Sequence, residues 1–265
     1  VEALFAYPLI GAIAGTLGGL LGVGGGIVVV PALVWIFQAN GFPESSIMHL
    51  AVGTSLATIV PTSIASVRAH HKHGAVQWPL FLWLGPGFAL GALLGASAAT
   101  HITSGQLRLL FGVFLCLIAA QFALPSNPTP QRDLPHRNGR FAVGTVIGVL
   151  SALLGIGGGN LTVPFLLSCR VPIRQAIATG AAAGVPIATI GAAAYIVAGQ
   201  DAHELPAWSA GYVYGPGFVG IAAMSVLFAP FGAKLAHRLP TAILRRVFGV
   251  FLLMVGLRML IGEME

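Results

Sequence analysis

Gly22-Val23-Gly24-Gly25-Gly26-Ile27-Val28-Val29-Val30-Pro31 returns in the second half of the chain as Gly155-Ile156-Gly157-Gly158-Gly159-Asn160-Leu161-Thr162-Val163-Pro164. Both copies sit inside long apolar stretches. Three successive glycines are a poor place to continue a helix, and the proline that follows limits helix geometry again. Two helix breaks at matching places in two halves of an apolar chain point to a transporter binding site built from a structural repeat.

The surrounding composition supports a membrane setting. The chain has 265 residues, of which 56% are hydrophobic and 8% charged, with a mean hydropathy of +0.90. A water-soluble domain carries roughly 25% charged residues, so this chain cannot cover a water-facing surface. The apolar runs are of helical length and lack the two-residue alternation of a barrel strand. The 36 glycines and 17 prolines are ordinary in lipid, where small residues let helices approach closely. Gly87, Gly91 and Gly95 form such a stripe, and Gly144/Gly148 repeats its spacing. The two cysteines, Cys116 and Cys169, suggest neither a disulfide nor a metal site. The start of the chain resembles its other spans rather than a cleavable leader.

Ten apolar segments are expected, near Ala3–Leu21, Gly26–Gln38, Ser46–Val67, Trp78–Ala99 and Gln106–Leu124, then Arg140–Leu154, Gly159–Cys169, Ile173–Ala198, Trp208–Phe231 and Thr241–Ile261. The halves correspond beyond the glycine motif. Gly85-Pro86-Gly87-Phe88 matches Gly215-Pro216-Gly217-Phe218. Leu107-Arg108 with Phe111–Leu115 matches Leu244-Arg245 with Phe248–Leu252. The reading is an all-α integral membrane protein of two inverted repeats of five segments each, residues 1–124 and 139–265. A proline-rich cytoplasmic linker, 125–138, joins them. An odd number of segments makes consecutive copies face opposite ways. Arg68, Lys72, Arg132, Arg137, Arg140, Arg170, Arg174, Lys234, Arg238, Arg245 and Arg246 then share the cytoplasmic side, eleven of the thirteen Lys and Arg. Only Arg108 and Arg258 fall outside, which is the expected positive-inside bias. Both termini come out on the outer side of the cell membrane. The short segments beside the glycine motifs are either full crossings or re-entrant hairpins, and the other loops keep their sides either way.

A helix that starts just after each break exposes backbone N–H groups without carbonyl partners, and such an end attracts anions. The substrate-site candidates are therefore the backbone of Gly24, Gly25 and Gly26 and of Gly157, Gly158 and Gly159. Asn160 and Thr162 join them, as do the hydroxyls of Thr54, Ser55 and Thr179. The alternative for the hydroxyls, Thr58 included, is a bond to a backbone carbonyl within their own helices. Every Asp and Glu (Glu2, Glu44, Asp133, Asp201, Glu204, Glu263, Glu265) lies in a loop or terminus. Cation carriers usually hold ionisable groups within their spans. With the cytoplasm negative, each negative charge moved outward gains about 2.3 kcal/mol per 100 mV, which favours export of an anion. His70-His71-Lys72-His73 supports a metal or cation transporter as the alternative; ion-coupled import of an anion is another. His49 reads as an interfacial helix-end residue. No catalytic constellation, cofactor or resident metal is expected. The expected partners are a small anion and the lipid bilayer, not nucleic acid, with a homodimer left open.

On these residues the chain resembles the sulfite exporter TauE/SafE family. The carrying features are Gly18–Gly26 with Pro31, Ala51-Val52-Gly53-Thr54-Ser55, His73-Gly74, and Leu153–Gly159 with Pro164. The resemblance spans essentially the whole chain. It implies a permease for sulfite or an organosulfonate such as sulfoacetate, mostly outward. The second half has Ala178-Thr179-Gly180-Ala181-Ala182 where the first has Ala51–Ser55, so a site with symmetric side chains is not expected.

Overall fold

A computed structural model of the chain describes residues 2–21, 25–123, 133–202, 205–236 and 241–261. Side chains are described within 6–19, 25–122, 133–202, 205–231 and 248–261. Ten helices occur among these residues: α1 (Glu2–Leu21), α2 (Gly26–Ala39), α3 (Glu44–Lys72), α4 (Trp78–Ala99), α5 (Ser104–Ala123), α6 (Arg137–Leu154), α7 (Gly159–Ser168), α8 (Ile173–Ala198), α9 (Gly215–Ala236) and α10 (Thr241–Ile261). Among the described residues, α3, α4, α5 and α8 are each long and apolar enough to cross a bilayer. At 1.5 Å per residue, α2 with 14 residues and α7 with 10 cannot span a hydrocarbon core of about 30 Å alone.

The helices interrupt where the glycines predict. Gly155 ends α6 in the left-handed conformation at φ 67°, a geometry that suits a glycine C-cap. Gly155 to Gly158 then separate α6 from α7. In the first copy Gly25 caps the start of α2, whereas Gly22, Val23 and Gly24 lie outside the described residues. The prolines limit helix geometry without ending either segment, and both expected segments run through them. Pro31 and Pro164 lie inside α2 and α7. Each sits early enough that its missing N–H costs one bond, the one that would reach Ile27 or Asn160.

Helix pairings follow the small residues. α1 packs along α9, and α4 along α6. Gly11 faces the backbone at Ile221 and Gly15 the backbone at Ser225. Gly87, Gly91 and Gly95 face Phe141, Thr145 and Val149 in turn. In both pairs, contact positions rise together, so the helices run parallel. Two other pairs run the other way. In α3–α8, Gly184 meets Ser63, Gly191 meets Leu56 and Gly53 meets Tyr195. In α5–α10, Gly112 meets Leu260, and Gly249 meets Phe122. Further packings join α3 to α9, α4 to α8, α2 to α3 and α7 to α8. Exchanging α1–α5 with α6–α10 maps this set of packings onto itself. Burial follows the same exchange at Phe111 and Phe248, and at Leu115 and Leu252, all of them buried.

The largest departure from the sequence reading is the stretch 208–214. It was expected to be membrane helix and forms instead a two-stranded antiparallel hairpin, β1 (Ser209–Ala210) paired with β2 (Val213–Tyr214). Gly211 turns the hairpin at φ 53°, and its Cα lies so close to the Ile196 carbonyl that a Cβ has no room. The hairpin is tied inward by Tyr212 N–H to the Tyr195 carbonyl at 3.1 Å. Thus α9 starts at Gly215, whereas the matching Gly85 lies inside α4. α3 also extends beyond the expected Val67, to Lys72.

The glycine stripe carries a prediction. A Cβ at Gly91 would sit 2.8 Å from the Val149 backbone nitrogen and 2.9 Å from the Gly148 Cα. Gly91→Leu should therefore destabilise the α4–α6 pair by about 3 kcal/mol or more. Gly85→Ala, whose nearest neighbours are Phe81 ring atoms at 3.7 Å, should be tolerated. Thermal unfolding of the two variants in detergent checks the contrast.

Candidate functional site

The two glycine motifs meet. A Cβ on Gly26 would lie 2.6 Å from the Gly155 carbonyl oxygen and 3.0 Å from the Ile156 Cα. Its third neighbour is the tip of Ile59, near the middle of α3. Gly155 in turn packs against the Val52 Cα and against Val30 of α2. Only Gly157 and Gly158 separate Ile156 from Gly159, so the α2 and α7 starts lie within about 16 Å of each other. Gly158 rests on Ala183 and Ile187, again mid-helix in α8.

Hydrogen bonding at these starts is incomplete. Val28 and Val29 donate to the Gly25 carbonyl at 3.0 Å. Among the described residues, no backbone carbonyl accepts from Gly26 or Ile27, nor from Gly157, Gly158 or Gly159. These N–H groups carry the positive end of each helix dipole. Neither helix has a side-chain cap.

The side chains fall into two groups. Ser55 donates to the Gly155 carbonyl at 2.7 Å, from α3 across to the second motif. Thr58 donates to the Ser55 carbonyl. Thr54 accepts from the Tyr214 N–H at 2.9 Å and so holds the hairpin. Thr179 accepts from the Gln77 N–H at 3.2 Å. Ser55, Thr54 and Thr179 thus tie elements together around the motifs, whereas the Thr58 bond stays within α3. The second group has no partner. Asn160 is 5% exposed and Thr162 is fully buried, yet both polar atoms of the Asn160 amide and the Thr162 hydroxyl lack a hydrogen bond among the described residues. A buried polar group left unpaired costs about 1–3 kcal/mol, which asks for an explanation such as a ligand. Gly24 lies outside the described residues.

Sequence reasoning missed Ser151. Its hydroxyl is fully buried in the last turn of α6, and it too lacks a partner among the described residues. Its signal was a lone hydroxyl four residues before Gly155 in an apolar run.

Other polar residues sit at the ends of the bundle. His49 is buried, with Nε2 2.9 Å from the Ala99 carbonyl, and so joins the starts of α3 and the α4–α5 turn. His71 Nδ1 accepts from the Trp78 indole at 3.1 Å. Among the described residues, no group of three His, Cys, Asp or Glu side chains is arranged to hold a metal ion. Arg140 and Arg170 line one cavity with Gln77 and Trp83. At another, Glu44 and Arg108 line a cavity of 240 Å³.

Comparison with known proteins decides the family. The model of the family described as sulfite exporter TauE/SafE matches residues 7–259. The chain belongs to the sulfite exporter TauE/SafE family. It is 34% identical over 253 residues to a probable membrane transporter protein of Haemophilus influenzae, covering 95% of this chain and 96% of the relative. A probable membrane transporter protein of Methanocaldococcus jannaschii is 30% identical over 272 residues, covering 98% and 97% of the two chains. A third, from Bacillus subtilis, is 32% identical over 191 residues, covering 64% of this chain and 70% of the relative. No solved structure matches the chain. As a TauE/SafE member with several long apolar helices, the protein is a multi-pass membrane transporter.

Proposed function

We propose that this transporter exports a small sulfur-containing anion, sulfite or an organosulfonate such as sulfoacetate, across the cytoplasmic membrane by alternating access. The anion is held near mid-membrane by the backbone N–H groups that open α2 and α7, with Asn160 and Thr162 beside the second opening. The observation that carries this reading is the meeting of Gly26 with Gly155 and Ile156, next to buried polar atoms of Asn160 that nothing else satisfies. An oxyanion needs donors and no countercharge from a carboxylate. Among the described residues, no Asp or Glu is buried.

The inverted repeat gives the motion. The antiparallel packing of α3 on α8 and of α5 on α10 supports two units of five helices related by a two-fold axis in the membrane plane. α1–α2 and α6–α7 are then re-entrant hairpins entering from opposite faces. Since α1 is packed on α9 and α6 on α4, each hairpin travels with the other unit. Rocking one unit against the other opens the site to alternate sides. The basic ends at Lys72, Arg137, Arg170 and Arg174 face the cytoplasm, and both termini lie outside.

Reconstituted protein provides the test. With an imposed potential negative on the side bearing the basic loops, sulfite or sulfoacetate should leave that side without added sodium or a proton gradient, in preference to chloride. Absence of anion flux under any potential, or flux that requires a sodium gradient, would reject the proposed mechanism.

A further inference from the structure

We propose that the cavity between the starts of α4 and α6 and the α7–α8 turn binds the phosphodiester headgroup of an anionic phospholipid. The cavity has a volume of 390 Å³, and its walls include Gln77, Leu80, Trp83, Arg140, Cys169 and Arg170. Two guanidinium groups thus line one hollow. Arg140 is pinned by its Nε, which donates to the Pro135 carbonyl at 2.8 Å. Arg170 takes the left-handed backbone conformation, φ 62°, unusual for a residue with a side chain. A third guanidinium, that of Arg137, lies 3.7 Å above the Trp83 ring. Among the described residues, the one ion pair here joins Arg170 to Asp133 at 3.6 Å, with side chains 61% and 91% exposed. Such a pair contributes little and leaves the cluster with excess positive charge.

Apolar surface decides between a lipid and a soluble oxyanion. Trp83, which walls the cavity, is followed on the same face of α4 by Leu90 and Leu94, and all three are exposed. Phe141, one residue after Arg140, is exposed as well. The charged hollow therefore opens onto an apolar stripe that runs along the helix. A headgroup in the hollow with acyl chains along the stripe satisfies both. A soluble anion would leave the stripe unused. Basic pockets between membrane helices on the cytoplasmic side have this character. The inference concerns a site at the bundle end and does not depend on the identity of the transported anion.

Native mass spectrometry of delipidated full-length protein tests it, with dioleoyl phosphatidylglycerol and dioleoyl phosphatidylcholine as probes. The expected result is a preference of at least about tenfold for phosphatidylglycerol, as two arginines near a charged headgroup should supply. Arg140→Gln with Arg170→Gln should erase the preference. The matching Lys pair should retain most of it, which separates lost charge from lost fold. Arg68→Gln should leave it unchanged. Equal binding of the two lipids, or a preference that survives the double Gln variant, would overturn the proposal. So would displacement of the lipid by an equal concentration of glycerol phosphate, which would make the hollow a site for a soluble anion.

Discussion

Gly26→Val should reduce anion flux by at least about 100-fold, the scale of loss when a reacting or binding group is misplaced by about 1 Å. Two of the three atoms a Cβ would meet there are backbone, the Gly155 oxygen at 2.6 Å and the Ile156 Cα at 3.0 Å. Backbone cannot rotate away as a side chain can, so the α2 start must separate from the second motif. The main helix pairs, α1–α9, α4–α6, α3–α8 and α5–α10, do not pass through this contact and should keep the protein folded. Gly26→Ala should show the same defect in weaker form. The check is flux in proteoliposomes beside thermal unfolding of the same preparation. A valine variant with normal flux would mean that the close approach of the two motifs has no role in transport.

Asn160→Leu is the second large effect. The amide sits 5% exposed with neither of its polar atoms bonded among the described residues. Leucine has similar size and needs no hydrogen bond, so stability should be unchanged or slightly higher. A hydrogen bond to a charged group contributes about 1.5–3 kcal/mol, so affinity for the anion should fall by about 10- to 150-fold. Asn160→Asp should be more severe, because it buries a negative charge beside the anion. Sulfite-dependent shifts in the unfolding temperature measure both. Retained affinity in the leucine variant would place the amide outside the site.

The membrane setting and the breaks could be read from the chain because they depend on local chemistry. Low charge density excludes a water-facing surface, and Gly155 takes a left-handed turn that glycine allows. The small-residue stripe at Gly87, Gly91 and Gly95 likewise has a local spacing and a single use, close packing on a neighbour. Partners were harder. Ser55, Thr54 and Thr179 each bond to an element distant in sequence, and a hydroxyl in a sequence does not name its partner. The hairpin at 209–214 escaped because Trp208, Val213 and Tyr214 have as much apolar character as the helix that follows. The left-handed Gly211 and the ties to Tyr195 and Thr54 distinguish them. Pro31 and Pro164 fall inside the expected segments and inside α2 and α7, where one missing donor early in a helix is cheap.

The position of the bound anion tests the account most directly. A cryo-EM map of the protein at saturating sulfite should show density within hydrogen-bonding distance of the N–H groups that open α2 and α7, at Gly26 and Ile27 and at Gly157 to Gly159, beside the Asn160 side chain. A transported anion seated elsewhere, with those N–H groups bonded to protein or water throughout, would contradict it.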